Sequence, residues 1–227
     1  MSREMREVFA SSLKQMMEQD SRVVLVDADL AKASGTTGIH AAFSDRALDC
    51  GVAEANMVSV AAGLASYGYI PFITTFAPFA TRRVCDQLAI SVCYARQNVK
   101  IVGTDPGVSA ELNGGTHMGL EDIGVIRSLV GMVIFEPVDA VQLEQAMPIL
   151  RDYDGPVYIR LHRKALPDVF PADYRFDLFS ADTIREGRDV TIFASGILVQ
   201  ESLQALELLK QEGIEAAERA AANRKLF

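Results

Sequence analysis

Gly51-Val52-Ala53-Glu54-Ala55-Asn56-Met57-Val58-Ser59-Val60-Ala61-Ala62-Gly63-Leu64-Ala65 is a nearly unbroken apolar stretch with one acid near its start. If it winds as a helix, Met57, Val58, Ala61 and Ala65 fall on the face of Glu54. A carboxylate on a face that seeks burial is costly unless it finds a specific hydrogen-bonding partner, which makes Glu54 a functional candidate on physical grounds. The competing reading is a helix-start acid favoured by the macrodipole and reached by water.

Outward from this helix, the chain alternates between strand and helix patterns. On the N-terminal side, Ser2 can cap a helix in which Met5, Phe9, Leu13 and Met16 recur at helical spacing. The run Arg22 to Asp27 then reads as a buried strand, leading into the polar, turn-rich Ala33-Ser34-Gly35-Thr36-Thr37-Gly38. On the C-terminal side, Tyr69 to Thr75 is a strand, and Phe76-Ala77-Pro78-Phe79 turns into a helix expected to reach about Arg96. Val99 to Gly103 is the next strand, followed by the longest loop, Thr104 to His117, whose Gly114-Gly115 pair permits close backbone approach. Met132 to Phe135, a helix opened by Asp139, and the strand Val157 to Leu161 follow, the last delivering His162, Arg163 and Lys164 to its end.

Strands roughly 30 residues apart and separated by helices imply an α/β fold, a parallel sheet sandwiched by helices with right-handed crossovers. This domain is expected over residues 1–166, with a poorly periodic linker over 167–186. Residues 187–227 hold one further strand and helix, a fragment of a second α/β domain. Its last residues, Ala217 to Phe227, have a charged, helix-forming composition where another strand would be expected, so the second domain looks incomplete.

The net charge of -8, with 22 basic residues against 30 acidic, and the absence of a Lys/Arg cluster argue against nucleic acid or an anionic membrane as partner. Cys50, Cys85 and Cys93 are odd in number. The last two would be separated by about 12 Å of helical rise, too far to bridge, which points to a reducing, cytoplasmic location. No metal-ligand spacing is evident.

Three segments together resemble the pyrimidine-binding domain of transketolase and its thiamine-diphosphate relatives: Gly51 to Met57, Thr75-Phe76-Ala77-Pro78-Phe79 and Gly114-Gly115-Thr116-His117. The resemblance covers roughly residues 3–166, and 187–216 is similar to the start of the transketolase C-terminal domain. The Gly-Asp-Gly signature of the family's diphosphate and magnesium domain does not occur in the chain. The resemblance therefore implies the C-terminal subunit of a split transketolase. A separate N-terminal subunit would hold the diphosphate and magnesium, and two copies of each chain would assemble.

By the same resemblance, Glu54 would hydrogen-bond N1′ of the cofactor's aminopyrimidine. Phe76 and Phe79 would form its aromatic pocket, with Phe79 against the ring, and Asp29 would help hold the thiamine end. The bland alternatives are core packing for the phenylalanines and a turn aspartate for Asp29. His117 would contact substrate oxygens and assist proton transfer, while Ser34, Asn113 and Arg163 would bind a sugar or sugar-phosphate substrate. Asn113 stands where an aspartate is common in the family. Thr104-Asp105 stands where a histidine is usual, and Asp105 would repel a phosphate unless offset. His40 and His162 read as structural or surface residues.

The implied activity is transfer of a two-carbon ketol unit from a ketose to an aldose. The β subunit of a 2-oxoacid dehydrogenase, a deoxyxylulose-phosphate-synthase-like enzyme and a catalytically silent scaffold of the same fold are the alternatives. The Asn113 to His117 loop favours transketolase over the two other enzymes, and the retained Glu54 and His117 argue against the scaffold.

Overall fold

The computed structural model describes residues 3–221 and 223–225. Ser2, the expected first cap, and residues 226–227 lie outside the described residues.

The chain runs α1 (Met5–Gln19), β1 (Val23–Asp27), α2 (Ala31–Ser34), α3 (Thr37–Ala42), β2 (Ala47–Asp49), α4 (Glu54–Ser66) and β3 (Ile70–Phe76). It continues through α5 (Ala77–Ala80), a 3-10 turn at Arg82–Val84, α6 (Cys85–Gln87) and a π-helical segment at Leu88–Tyr94. Then come β4 (Lys100–Thr104), a 3-10 segment at Gly107–Asn113, α7 (Asp122–Ile126), β5 (Val133–Phe135), α8 (Ala140–Asp152) and β6 (Val157–Leu161). The last part holds β7 (Asp182–Arg185), β8 (Val190–Ala194), α9 (Leu198–Gln211), β9 (Ala216–Ala220) and β10 (Asn223–Lys225).

Strands β1 to β6 form a parallel sheet in the order β5-β6-β4-β3-β1-β2, and β10 joins antiparallel beside β5. Burial on both faces explains why these strands read as continuous apolar runs. On one face Met5, Phe9, Leu13 and Met16 of α1 pack with Leu143 and Met147 of α8. On the other, Met57, Val58 and Ala61 of α4 pack with Val84, Leu88 and Val92. The parallel register aligns Phe76 with Thr104 and Thr104 with Leu161, so the loops after β3, β4 and β6 leave the sheet side by side. That carboxyl edge is where open α/β sheets place their ligands.

The helix expected to run from Phe79 to Arg96 is broken into short turns. Thr81 leaves helical geometry, with φ −127° and ψ −86°, while its hydroxyl donates to Ala77 O.

A second, three-stranded sheet has the order β7-β9-β8. β7 lies within the stretch expected to be linker, and its edge pairs with β9. The helix-forming composition after Ala216 does not win: β9 pairs parallel to β8, because an open sheet edge on each side outweighs helix propensity in five residues. The second domain packs on the first through Val138, Phe170, Ala194, Val199 and Ala220. Beside this seam the Glu136 carboxylate accepts hydrogen bonds from Arg160 (2.5 Å) and Ser195 (2.6 Å), with His162 Nε2 at 3.5 Å. Burial would raise the Glu136 carboxyl, but His162, Arg160 and Ser195 outweigh it and hold it at about 2.

Candidate functional site

The side chains of the site lie at the start of α4 and on the segments that follow β3, β4 and β6. Glu54 is the first residue of α4, and with 4% exposure it is buried as its apolar face requires. Met57, Val58 and Ala61 of that face are buried with it. Its carboxylate has a partner: Oε1 accepts a 2.7 Å hydrogen bond from Arg83 Nη1. Arg83 in turn lies over Phe79, its guanidinium carbon 3.7 Å from the ring centroid.

β3 ends at Phe76, and Pro78 in the first turn of α5 fixes the chain direction so that Phe79 comes back beside it. The two rings meet edge to face, 6.0 Å apart at 80°. The loop after β4 folds against them. A bridge between Pro106 and Gly119 closes it, and Gly119 lies so close to Pro78 that a Cβ there would approach its ring within 3.2 Å. Arg82 holds the same loop by donating to Thr116 O (3.2 Å) and Glu121 (2.6 Å). The result is that the His117 ring sits 5.2 Å from Phe76 and 5.1 Å from Phe79, with Nδ1 paired to the Thr116 hydroxyl at 2.9 Å.

Arg163 follows β6, and its guanidinium carbon is 5.9 Å from the Phe76 ring. Asp105 follows β4, is buried, and accepts from Arg163 Nε at 2.9 Å. Burial pushes the Asp105 carboxyl above its ordinary value, and the Arg163 charge opposes this. Next along the chain, Lys164 is paired with Glu111 at 2.6 Å. Both cations at the end of β6 are thus neutralised by acids of the loop after β4.

The structure therefore links Glu54, through Arg83, to Phe79, His117, Phe76 and Arg163 in one chain of contacts. Asp29 lies exposed at the same edge, in left-handed backbone (φ 59°) with its N–H donating to Asp49. Asn113 is exposed in the His117 loop. Ser34 stands apart from an open surface: it is 1% exposed and its hydroxyl accepts from Thr74. His162 is buried beside Glu136, and His40 lies 3.8 Å from buried Asp27, both away from the aromatic cluster's contacts. Arg83 is a site residue that sequence reasoning misses: it lies beyond the break at Thr81, in the 3-10 turn Arg82–Val84, so helical spacing from Phe79 does not place it over the ring.

Chemically, the arrangement offers a buried carboxylate that can accept an N–H, two phenylalanine rings to lie against a flat group, and a half-exposed imidazole facing the same rings. That donor set suits a flat heteroaromatic ring with a polar edge. Among the described residues no group of three or more His, Cys, Asp or Glu is placed to hold a metal ion. No helix there is long and apolar enough to cross a membrane.

Comparison with known proteins matches residues 1–169 to the transketolase pyrimidine-binding domain and residues 180–217 to the transketolase C-terminal domain. The chain is 50% identical over 212 residues to 6-deoxy-6-sulfo-D-fructose transketolase subunit SqwH of Clostridium sp. (strain MSTE9), covering 93% of this chain and 66% of that protein. It is 38% identical to an apulose-4-phosphate transketolase subunit of Phocaeicola vulgatus, covering 93% of this chain and 68% of that protein. Among solved structures, a split-gene transketolase described as an inactive beta4 tetramer aligns with a TM-score of 0.87 at 38% identity, over 98% of this chain and 72% of that one. The chain spans about two thirds of the length of these two curated relatives.

Proposed function

Because the chain belongs to the transketolase family, we propose that it is the pyrimidine-side subunit of a thiamine-diphosphate enzyme that transfers a two-carbon ketol unit from a ketose to an aldose. In this reading a separate N-terminal subunit carries the diphosphate and magnesium. The observation that carries the reading is the buried Glu54 carboxylate sharing a site with Phe76, Phe79 and His117.

The residues fit the aminopyrimidine end of thiamine diphosphate: Phe79 and Phe76 to pack its ring, and Glu54 to accept a hydrogen bond from a protonated ring nitrogen. When bound, that cofactor supplies the carbon nucleophile that takes up the two-carbon unit. Glu54 holds a proton at N1′ in a setting of low dielectric, which strengthens the single hydrogen bond. His117 moves protons at the substrate's oxygens. Asp29 and Asn113, on the same edge, are assigned to the thiamine end and to substrate hydroxyls.

We assign the substrate's far end to Arg163. Its charge is already balanced by Asp105, so a singly charged or neutral end is accommodated at less cost than a doubly charged phosphate. The name of the sulfofructose relative supports a sulfonate-bearing sugar. Exposed Val52 and Leu120, next to Glu54 and His117 in sequence, are assigned to contact with the partner subunit or a second copy. The unpaired Cys50, Cys85 and Cys93 suit a cytoplasmic enzyme.

The test is copurification from the native source, followed by a screen of ketose donors and aldose acceptors. Recovery with a Gly-Asp-Gly-bearing subunit and ketol transfer by the pair are expected. A partner of another kind, or no transfer with any ketose, refutes the assignment.

A further inference from the structure

The two groups assigned to the pyrimidine ring, the Glu54 carboxylate and the Phe79 face, are both engaged by one side chain. Arg83 Nη1 donates to Glu54 Oε1 at 2.7 Å while its guanidinium carbon lies 3.7 Å from the Phe79 centroid. A guanidinium is flat and has an N–C–N edge with N–H donors. An aminopyrimidine presents a flat face to an aromatic ring and an N–H to a carboxylate in the same way. We propose that Arg83 is an internal placeholder for the cofactor's pyrimidine: it occupies Glu54 and one face of Phe79 in the free subunit and is displaced when the cofactor enters.

Physical cost explains the device. Glu54 is 4% exposed, and a buried carboxylate without a partner is destabilising, so a subunit that must exist before it meets its cofactor needs a temporary partner for it. Arg83 is well suited to leave. Its side chain is 45% exposed, so the released guanidinium returns to water, whereas a fully buried arginine would be stranded. Its Glu54 bond is also its only charge pairing among the described residues. Neighbouring Arg82 is committed elsewhere, to Glu121 and Thr116, so the loop bearing His117 stays anchored while Arg83 moves.

The inference rests on the cofactor reading above, and the experiment separates the two. Binding of thiamine diphosphate with magnesium is measured by calorimetry on the wild-type and Arg83→Met chains, each assembled with the partner subunit. Arg83→Met keeps an apolar stem against Phe79 and removes the competing donors, so binding is expected to tighten about three- to tenfold. Arg83→Lys, which retains charge without the flat face, should tighten it less. In the free chain Arg83→Met should lower the melting temperature, and Glu54→Gln in that background should restore it. The Arg83 side-chain nitrogen resonances of labelled wild-type protein should shift to those of a solvent-exposed arginine when cofactor is added. Equal or weaker binding by Arg83→Met, or Arg83 resonances that do not respond to cofactor, overturns the placeholder while leaving the cofactor reading intact. No binding by the wild-type assembly overturns both.

Discussion

Asp105 and Arg163, from the ends of the adjacent parallel strands β4 and β6, meet at 2.9 Å beside Phe76. The pair converts what would be a free cation at the mouth of the site into a neutral couple. Electrostatics then gives a specificity prediction. Asp105→Asn leaves Arg163 unopposed, and the extra charge of a phosphate over a sulfonate should gain at least ~1 kcal/mol from that change. The ratio of kcat/KM for a ketose phosphate to that for the matching sulfonate should rise about five- to tenfold. Competition assays on the assembled enzyme check this, and an unchanged ratio would show that the far end of the substrate lies elsewhere.

Glu54→Gln tests the proton-holding role with little change in shape. The amide cannot take up or share a proton as the carboxylate does, so ketol transfer by the assembled enzyme should fall by ~100-fold or more. Assembly with the partner, read by light scattering, should be unaffected. Activity within about tenfold of wild type would remove Glu54 from the chemistry.

The seam between the two domains depends on a buried carboxylate, Asp139. Asp139 caps α8 by accepting from Gln142 N at 2.8 Å, and its other oxygen accepts from Val169 N at 2.6 Å and Phe170 N at 2.8 Å. Those last two amides belong to the connector leading to the second sheet. Asp139→Ala leaves three backbone donors without their acceptor in a buried setting and should cost about 3 kcal/mol in denaturant unfolding. Proteolysis should also open the chain near residues 165–180 first. Asp139→Asn, which keeps one carbonyl oxygen, should cost less than half as much.

How far the sequence reveals all this depends on what each signal measures. The alternation of strands and helices is a statement about burial, and α1, α4, α8 and the parallel strands are legible because their apolar periodicity matches their packing. Phe76, Phe79, Glu54 and His117 can be picked out through resemblance, but composition alone cannot bring them together. Their meeting depends on the strand register and on the glycine that lets the His117 loop lie on Pro78. Ser34 is readable as a polar loop residue but not as buried, because its hydroxyl's partner Thr74 is remote in sequence. Arg83 escapes notice since an arginine on a helix is ordinarily a solvated charge. Residues Ala216 to Ala220 mislead because local propensity cannot register a neighbouring strand edge.

Strand β9 also carries a misfit. Glu218 is fully buried on β9, and neither carboxylate oxygen has a hydrogen-bond partner among the described residues. Desolvation pushes its pKa up from 4.5 to about 7. In the unfolded chain the group ionises near 4.5, while in the folded chain it holds its proton until about 7. Below 4.5 both states are protonated and Glu218 carries no ionisation penalty. As pH rises from 4.5 to about 7 the unfolded state alone gains by ionising, so stability falls across that window and stays lowered above it. Glu218→Leu removes the titration and fills the same space with apolar atoms. The variant should therefore be more stable than the parent at about pH 7.5, by on the order of 2 kcal/mol, and the gap should narrow steadily as pH drops to about 4.5. Denaturant unfolding of both chains at several pH values measures it directly. A gap that is independent of pH would mean that Glu218 finds water or a cation in solution and that the strand tolerates its charge.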